Sequence, residues 1–308
     1  MPLQKTRPAS VAGFFYPGTK SEVLETLKNC FLHPLGPGRL PREESQGSGS
    51  KDSQGPPVEC FLVPHAGYVY SGPIAAHSYL KAYDLFPHER KRKARITAVI
   101  IGPNHYGLGS GVAVSPSESW STPLGFVDVD TGFVRMLVSS PKSIIDLDDI
   151  AHSREHSIEV QVPFLQYACE GWAELSIVPV CMMLQDKETA IQVGDALTGI
   201  LESLSKEDPE RRFLVLGSSD LTHYEPHADA TKKDLRLLDS VAKLDLSDFY
   251  STLQRHDISA CGYGPIAATM KIAAGFRRKR GILLKYGTSG DVTGDKSSVV
   301  GYPAVYFK

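Results

Sequence analysis

Three apolar runs, each delivering a histidine, constrain this chain more than anything else in it. Cys60-Phe61-Leu62-Val63 runs into Pro64 and His65. Ile96–Gly102 ends in Pro103-Asn104-His105, and Phe213–Gly217 ends in Ser218-Ser219-Asp220-Leu221-Thr222-His223. A short apolar run cut off by proline or glycine reads as a strand buried on both faces. In α/β sheets, ligands collect outside the carboxyl ends of the strands. Three strands that each hand one imidazole to the same edge therefore predict a site at that edge.

Helical patterns fill the spaces between these strands. They are expected over about 21–32, 74–83, 131–139, 155–169, 186–205, 227–243 and 246–256, with a further helix opening at Ala260–Pro265. Thr131 and Asp186 read as N-caps, Glu155-His156-Ser157 as a capped helix start, and Pro265 suits the first helical position. Other strands are expected near 111–115, 126–130, 175–182, 282–286 and 299–307. Strands alternate with helices, and turn-separated strand pairs make the sheet mixed. The fold class is α/β: one domain over residues 1–308, with a central mixed sheet flanked by helices. Residues 34–57 are rich in Pro, Gly, Ser and charge, and read as a disordered insertion, because such composition cannot bury enough surface to offset ordering entropy.

Composition excludes several classes. Apolar content of 42% with 22% charged residues is that of a soluble globular chain. A net charge of −2 argues against a nucleic-acid surface, and Arg277-Arg278-Lys279-Arg280 reads as a solvated helix end. No run is long enough to span a membrane, and the N-terminus lacks a signal-peptide core. Five cysteines without framework spacing indicate no disulfide scaffold, so a reduced, cytoplasmic setting is expected.

Of the ten histidines, His33, His88 and His256 lie in polar or helix-end surroundings, and His77 lies inside a helix. His65, His105 and His223 are the candidates for chemistry. Cys261 lies at a helix start, where exposed N–H groups favour a thiolate; it reads as a metal ligand or a reactive thiol. Cys60, Cys169 and Cys181 lie in apolar runs and read as small hydrophobes. Glu155 and Glu159 stand one helical turn apart. Glu155 and His156 fit a capping role, a cleft role, or a carboxylate that orients an imidazole. Asp220, three residues before His223, is placed to orient or ionise that ring.

Pro64-His-Ala-Gly-Tyr-Val-Tyr-Ser-Gly72, Gly102-Pro-Asn-His105, Arg154-Glu-His-Ser-Ile-Glu159, Ser218-Ser-Asp-Leu-Thr-His223 and Ala260-Cys-Gly-Tyr-Gly-Pro-Ile266 occur in the order and spacing of the Memo family. Ala12-Gly-Phe-Phe-Tyr-Pro17 also resembles that family's opening arm. The resemblance covers the chain except for 34–57. It implies the fold of the class III extradiol dioxygenases, non-heme iron enzymes that cleave catechol-type rings. It also implies metal ligation by His65, His105 and Cys261, with His223 and Asp220 lining the same cleft as catalytic groups. Extradiol enzymes use two histidines and a carboxylate; here a thiol takes the third place, which shifts preference toward copper(I) or zinc without excluding iron. The family is further described as copper- or iron-linked in redox chemistry, as binding phosphotyrosine-containing peptides and as acting in cell-motility signalling.

Three functions follow as expectations. One is a metal-dependent redox or oxygenase-like protein, with His223 handling protons. Another is a non-catalytic binding module for a phosphotyrosine-type peptide or a small acidic ligand in the same cleft. The third is a metal-free hydrolase with Cys261 as nucleophile and His223 as base.

Overall fold

The structure, a computed structural model, describes residues 5–42, 57–86, 93–139 and 143–308. In chain order the elements are β1 (Thr6–Arg7), α1 (Lys20–Leu32), β2 (Val58–Val63), α2 (Tyr68–Leu85), β3 (Ala94–Pro103), β4 (Val112–Val114), β5 (Ser119–Thr122) and β6 (Gly125–Val129). Then come α3 (Thr131–Ser139), β7 (Asp146–Leu147), α4 (Gln161–Cys169), β8 (Ala173–Met182), α5 (Lys187–Glu207), β9 (Arg212–Ser218) and β10 (His223–Glu225). The chain closes with α6 (His227–Lys243), α7 (Leu246–His256), α8 (Tyr263–Gly275), β11 (Gly281–Thr288), α9 (Ser289–Thr293) and β12 (Val299–Phe307).

All the described strands join one mixed sheet whose main path runs β1-β5-β6-β8-β3-β9-β2-β12-β10. Its centre, β8-β3-β9-β2, is parallel. β12 runs antiparallel between β2 and β11. Every residue of β2 is buried, as are the last eight of β3 and the last six of β9. Such double-sided burial fits a sheet flanked by helices; α8 lies on β9, β2 and β3, and α2 lies on β2, β11 and β12. Since β3, β9 and β2 are parallel neighbours, their carboxyl ends share one edge.

Several local expectations need correction. The second helix begins at Tyr68, six residues before the expected start at 74, and Pro73 lies within it. Asp130, not Thr131, caps α3, its carboxylate accepting from the Phe133 N–H at 2.9 Å. Residues 157–160 form a turn, and α4 begins only at Gln161 with no side-chain cap. Pro265 is the third helical residue of α8 rather than the first. Asp186 caps α5 as expected, accepting from the Thr189 N–H at 3.0 Å. Of the expected insertion, residues 34–42 are described: Leu40 packs on the core and Arg39 pairs with Asp84. Residues 43–56 lie outside the described residues, as does His88. Among the described residues, no helix is long and apolar enough to cross a membrane.

Candidate metal centre

The sheet register builds the site. Val63 pairs with Ser218 at the ends of β2 and β9, so the residues following each strand meet. A Cβ at Gly262 would collide with the Ser218 carbonyl oxygen, so only glycine lets the start of α8 approach this strand end closely. One residue earlier, Cys261 Sγ lies 3.0 Å from His65 Nε2. On the other side, a Cβ at Gly102 would strike the Ser157 hydroxyl, and this close contact seats His105 against the 155–157 turn. Ligand atoms of His65, His105 and Cys261 all lie within 4.8 Å of one another, a spacing that can hold a metal ion.

Hydrogen bonds fix which imidazole nitrogen is available. Ser218 Oγ gives its one proton to the Ser157 carbonyl at 2.7 Å, so it accepts from His65 Nδ1 at 2.9 Å. His105 Nδ1 meets the acceptor-only carboxylate of Glu155 at 2.9 Å. His223 Nδ1 faces two carbonyls, those of Leu221 at 2.7 Å and Ser259 at 3.0 Å. All three rings therefore carry a proton on Nδ1, which in a neutral ring puts the lone pair on Nε2, the tautomer an Nε2 metal ligand requires.

Glu155 performs two of the roles its sequence context allowed. One carboxylate orients His105, through the ring and through the His105 N–H at 2.6 Å. It also accepts from the N–H groups of His156 and Ser157, at 2.9 and 2.8 Å, and so caps the turn. Burial pushes this acid up, but the His105 hydrogen bond and charge, with His156 adding, hold it down at about 2. His156 stacks on His105 with ring centroids 4.4 Å apart, and Phe15 covers it at 4.3 Å. Burial lowers His156 to about 4, against the pull of Glu155. His105, Glu155 and His156 form a second possible ligand group. In that group the Glu155 carboxylate is already committed to the His105 ring and to the N–H groups of His105, His156 and Ser157, so the first set fits a metal better.

Glu159 points elsewhere, into the N-terminal arm. It accepts from Arg7 Nη1 at 2.6 Å, Ser10 N at 2.9 Å, Val11 N at 3.0 Å and Tyr16 OH at 2.7 Å. Burial opposes its charge, but Arg7 and the arm's N–H groups prevail and keep the acid ionised.

Asp220 binds the His65 N–H at 2.8 Å through Oδ1, and its own N–H donates to Cys261 Sγ at 3.2 Å. Burial raises this carboxyl to about 6, against the His65 N–H and the His223 charge. Its role in orienting His223 is not met by a hydrogen bond among the described residues; the two carbonyls do that work. Burial drives His65 well below its ordinary value, with His105, His156 and His223 adding, so the ring is neutral. Burial likewise pushes the Cys261 thiol up, with Asp220 adding, against the N–H bond from Asp220. The imidazole beside this thiol is His65, not His223, so the Cys261–His223 pair expected of a hydrolase is not formed among the described residues.

Sequence reasoning passed over Ser218, Gln161 and Phe15. Gln161 Nε2 donates to Ser218 Oγ at 2.9 Å and to the Pro64 carbonyl at 3.0 Å, while Tyr79 OH donates to its Oε1 at 2.5 Å. The only signal in the sequence was a glutamine in an apolar helical face. His77 is structural, with Nε2 on the Leu35 carbonyl at 2.9 Å. Cys60, Cys169 and Cys181 are buried, as expected.

Fold and site together define an α/β protein with a two-imidazole, one-thiol cluster at the carboxyl ends of parallel strands. The chain belongs to the Memo family: the family profile described as Memo-like protein matches residues 7–306. It is 42% identical over 302 residues to a MEMO1 family protein of Methanopyrus kandleri, covering 98% of this chain and 99% of that one. It is 44% identical over 301 residues to one of Methanocaldococcus jannaschii, covering 97% and 98%. Among solved structures, an uncharacterized protein of Escherichia coli K12 superposes with a TM-score of 0.47 at 13% identity, covering 81% of this chain and 99% of that one.

Proposed function

We propose that this chain is a metal-dependent redox protein that holds one transition-metal ion, copper or iron, through His65 Nε2, His105 Nε2 and Cys261 Sγ. The observation that carries this reading is the tautomer lock: each imidazole has its Nδ1 proton committed to an acceptor, leaving Nε2 as the nitrogen that can ligate, with His65 Nε2 already 3.0 Å from Cys261 Sγ. Two neutral imidazoles and a thiolate form a donor set soft enough for copper(I) and compatible with iron(II) or zinc. When bound, such an ion supplies one-electron redox chemistry or Lewis acidity. The thiol is protonated without a cation; were an ion bound, Cys261 would give up its proton and the Asp220 N–H would stabilise the resulting thiolate. His223 supports a proton-transfer role, since its Nδ1–H is tied to two carbonyls and Nε2 is left as the nitrogen that can exchange a proton.

Anaerobic metal titrations of the wild type, Cys261→Ser and Cys261→Asp test this reading. The serine variant should lose copper(I) affinity by orders of magnitude. The aspartate variant should lose copper(I) and retain or gain iron(II), because it restores a two-histidine, one-carboxylate set. Equal copper(I) affinity in all three proteins removes Cys261 from the site.

A binding module is the second reading. Phe14 and Tyr106 are exposed and stand next in sequence to Phe15 and His105 of the site, which supports contact there with a peptide or small acidic ligand. Metal-depleted protein that binds a phosphotyrosine peptide as tightly as loaded protein would favour it.

A further inference from the structure

Beside the candidate metal centre lies a separate cavity of about 430 Å³, within the range of small-molecule sites. Its lining includes Ala66, the residue after His65, the exposed Tyr70 and Tyr224, and the buried Tyr302. Tyr70 comes from the first turn of α2, Tyr224 from β10 and Tyr302 from β12. Burial first, then the Asp220 carboxyl and the Tyr70 and Tyr224 phenols, push the Tyr302 phenol up, so each of these groups lies within electrostatic reach of Tyr302.

Tyr224 is the least expected member. Its φ is 60°, in the left-handed region that a bulky residue enters only at a cost. It is also 79% exposed, so no core packing repays that strain. A register shift between His223 and Glu225 accompanies it in the β10–β12 pairing. Strain that persists on an exposed aromatic at a cavity wall points to binding rather than folding.

The charge in this cavity is one-sided. Asp295 is the one charged residue of the lining, among the described residues, and neither Lys233 nor Lys296 contributes to it. Asp295 Oδ1 accepts from Ser297 N and Oγ at 2.9 and 2.6 Å, and Oδ2 makes no hydrogen bond among the described residues. Aromatic faces attract cations through their quadrupole, and quaternary or alkyl ammonium groups are the ligands that such cages take. An anion would meet a carboxylate with no cation to offset it.

We infer that the cavity walled by Tyr70, Tyr224, Tyr302 and Asp295 binds an organic ammonium ion, with the cationic head among the rings and beside the carboxylate. This goes beyond the metal reading and does not depend on it.

Calorimetric titration of the full chain with choline, and with its neutral isostere 3,3-dimethyl-1-butanol, tests the inference. Choline should bind saturably, and the isostere at least tenfold more weakly. A peptide carrying trimethyllysine, run as a parallel arm, distinguishes a protein side chain from a free amine as the source of the ammonium group. Tyr224→Ala and Asp295→Asn should each weaken choline binding at least tenfold, whereas Tyr224→Phe, which keeps the ring face, should retain it. Melting temperature and metal content serve as fold controls, and His65→Ala should lose metal while keeping choline binding. The inference is overturned if neither cation saturates, if the isostere binds as tightly as choline, or if Tyr224→Ala or Asp295→Asn leaves choline binding unchanged.

Discussion

Replacing Glu159 with Gln should be among the most damaging single changes in this chain, although it alters almost no volume. The carboxylate accepts from Arg7, Ser10, Val11 and Tyr16. A glutamine keeps one accepting oxygen and presents an NH2 group where the other oxygen stood. If the retained oxygen serves Val11 and Tyr16, the new amide faces Ser10 N–H and the Arg7 guanidinium, both donors. Arg7 is only 6% exposed and becomes a buried cation without its anion, still bonded to the carbonyls of His152 and Glu155. Removing one partner of such a pair costs about 3–5 kcal/mol, while the part-buried Ser10 N–H still has the other oxygen at 3.1 Å and adds little. A loss of about 3–5 kcal/mol is therefore expected at neutral pH, a large share of the ~5–15 kcal/mol that holds a typical domain folded. Urea denaturation read by far-UV circular dichroism measures the loss. Hydrogen exchange localises it, because the Phe14 and Phe15 amides, bonded to the Val11 carbonyl at 3.1 and 3.0 Å, should exchange far faster. Adding Arg7→Met should recover part of the stability by removing the stranded charge. A loss below about 1 kcal/mol with the arm amides still protected would refute the assignment of Glu159 as the anchor of the arm.

Two further outcomes follow. Ser218→Ala deprives His65 Nδ1–H of its acceptor and should lower metal affinity about 10–100-fold; unchanged affinity in anaerobic titration, or an unchanged His65 tautomer by nitrogen NMR, contradicts the tautomer argument. Burial lifts Glu59 from 4.5 to about 7, against Arg278, Tyr306 and Lys81. Between those values the folded chain holds a proton that the unfolded chain has released, so stability falls as pH rises through the window, by at most on the order of 3 kcal/mol. Glu59→Gln should flatten this slope in denaturation curves taken across the range, and a slope that survives assigns it to another group.

The strands were legible because burial on both faces leaves continuous apolar runs, and proline or glycine ends them visibly. Helix starts were less so. Pro73 has the look of a first helical residue, yet α2 begins earlier, at Tyr68. Asp130 outcompetes Thr131 as a cap because its carboxylate reaches the Phe133 N–H. Of the site, the histidines and Cys261 stood out by chemistry and position. Ser218 and Gln161 did not, because a hydroxyl and an amide acquire meaning only once β2 and β9 are in register and the turn at 157–160 has formed. The two acids of the 155–159 stretch could not be told apart by spacing. A turn, not a helix, sends Glu155 to the imidazoles and Glu159 to the arm.

β12 supplies the last neighbour of β2, from a point far along the chain. The roughly 240 residues between Val63 and Val299, made at about 5–20 per second, take about 10–50 s. During that interval the β2 edge that β12 will cover is an open template of unpaired amides and carbonyls, flanked by the Cys60–Val63 apolar run. Ribosome-bound chains arrested before Val299 should therefore be the aggregation-prone species of this protein. A holding chaperone should bind them most tightly through the segment around Cys60–Val63, and release should coincide with emergence of the 299–307 strand.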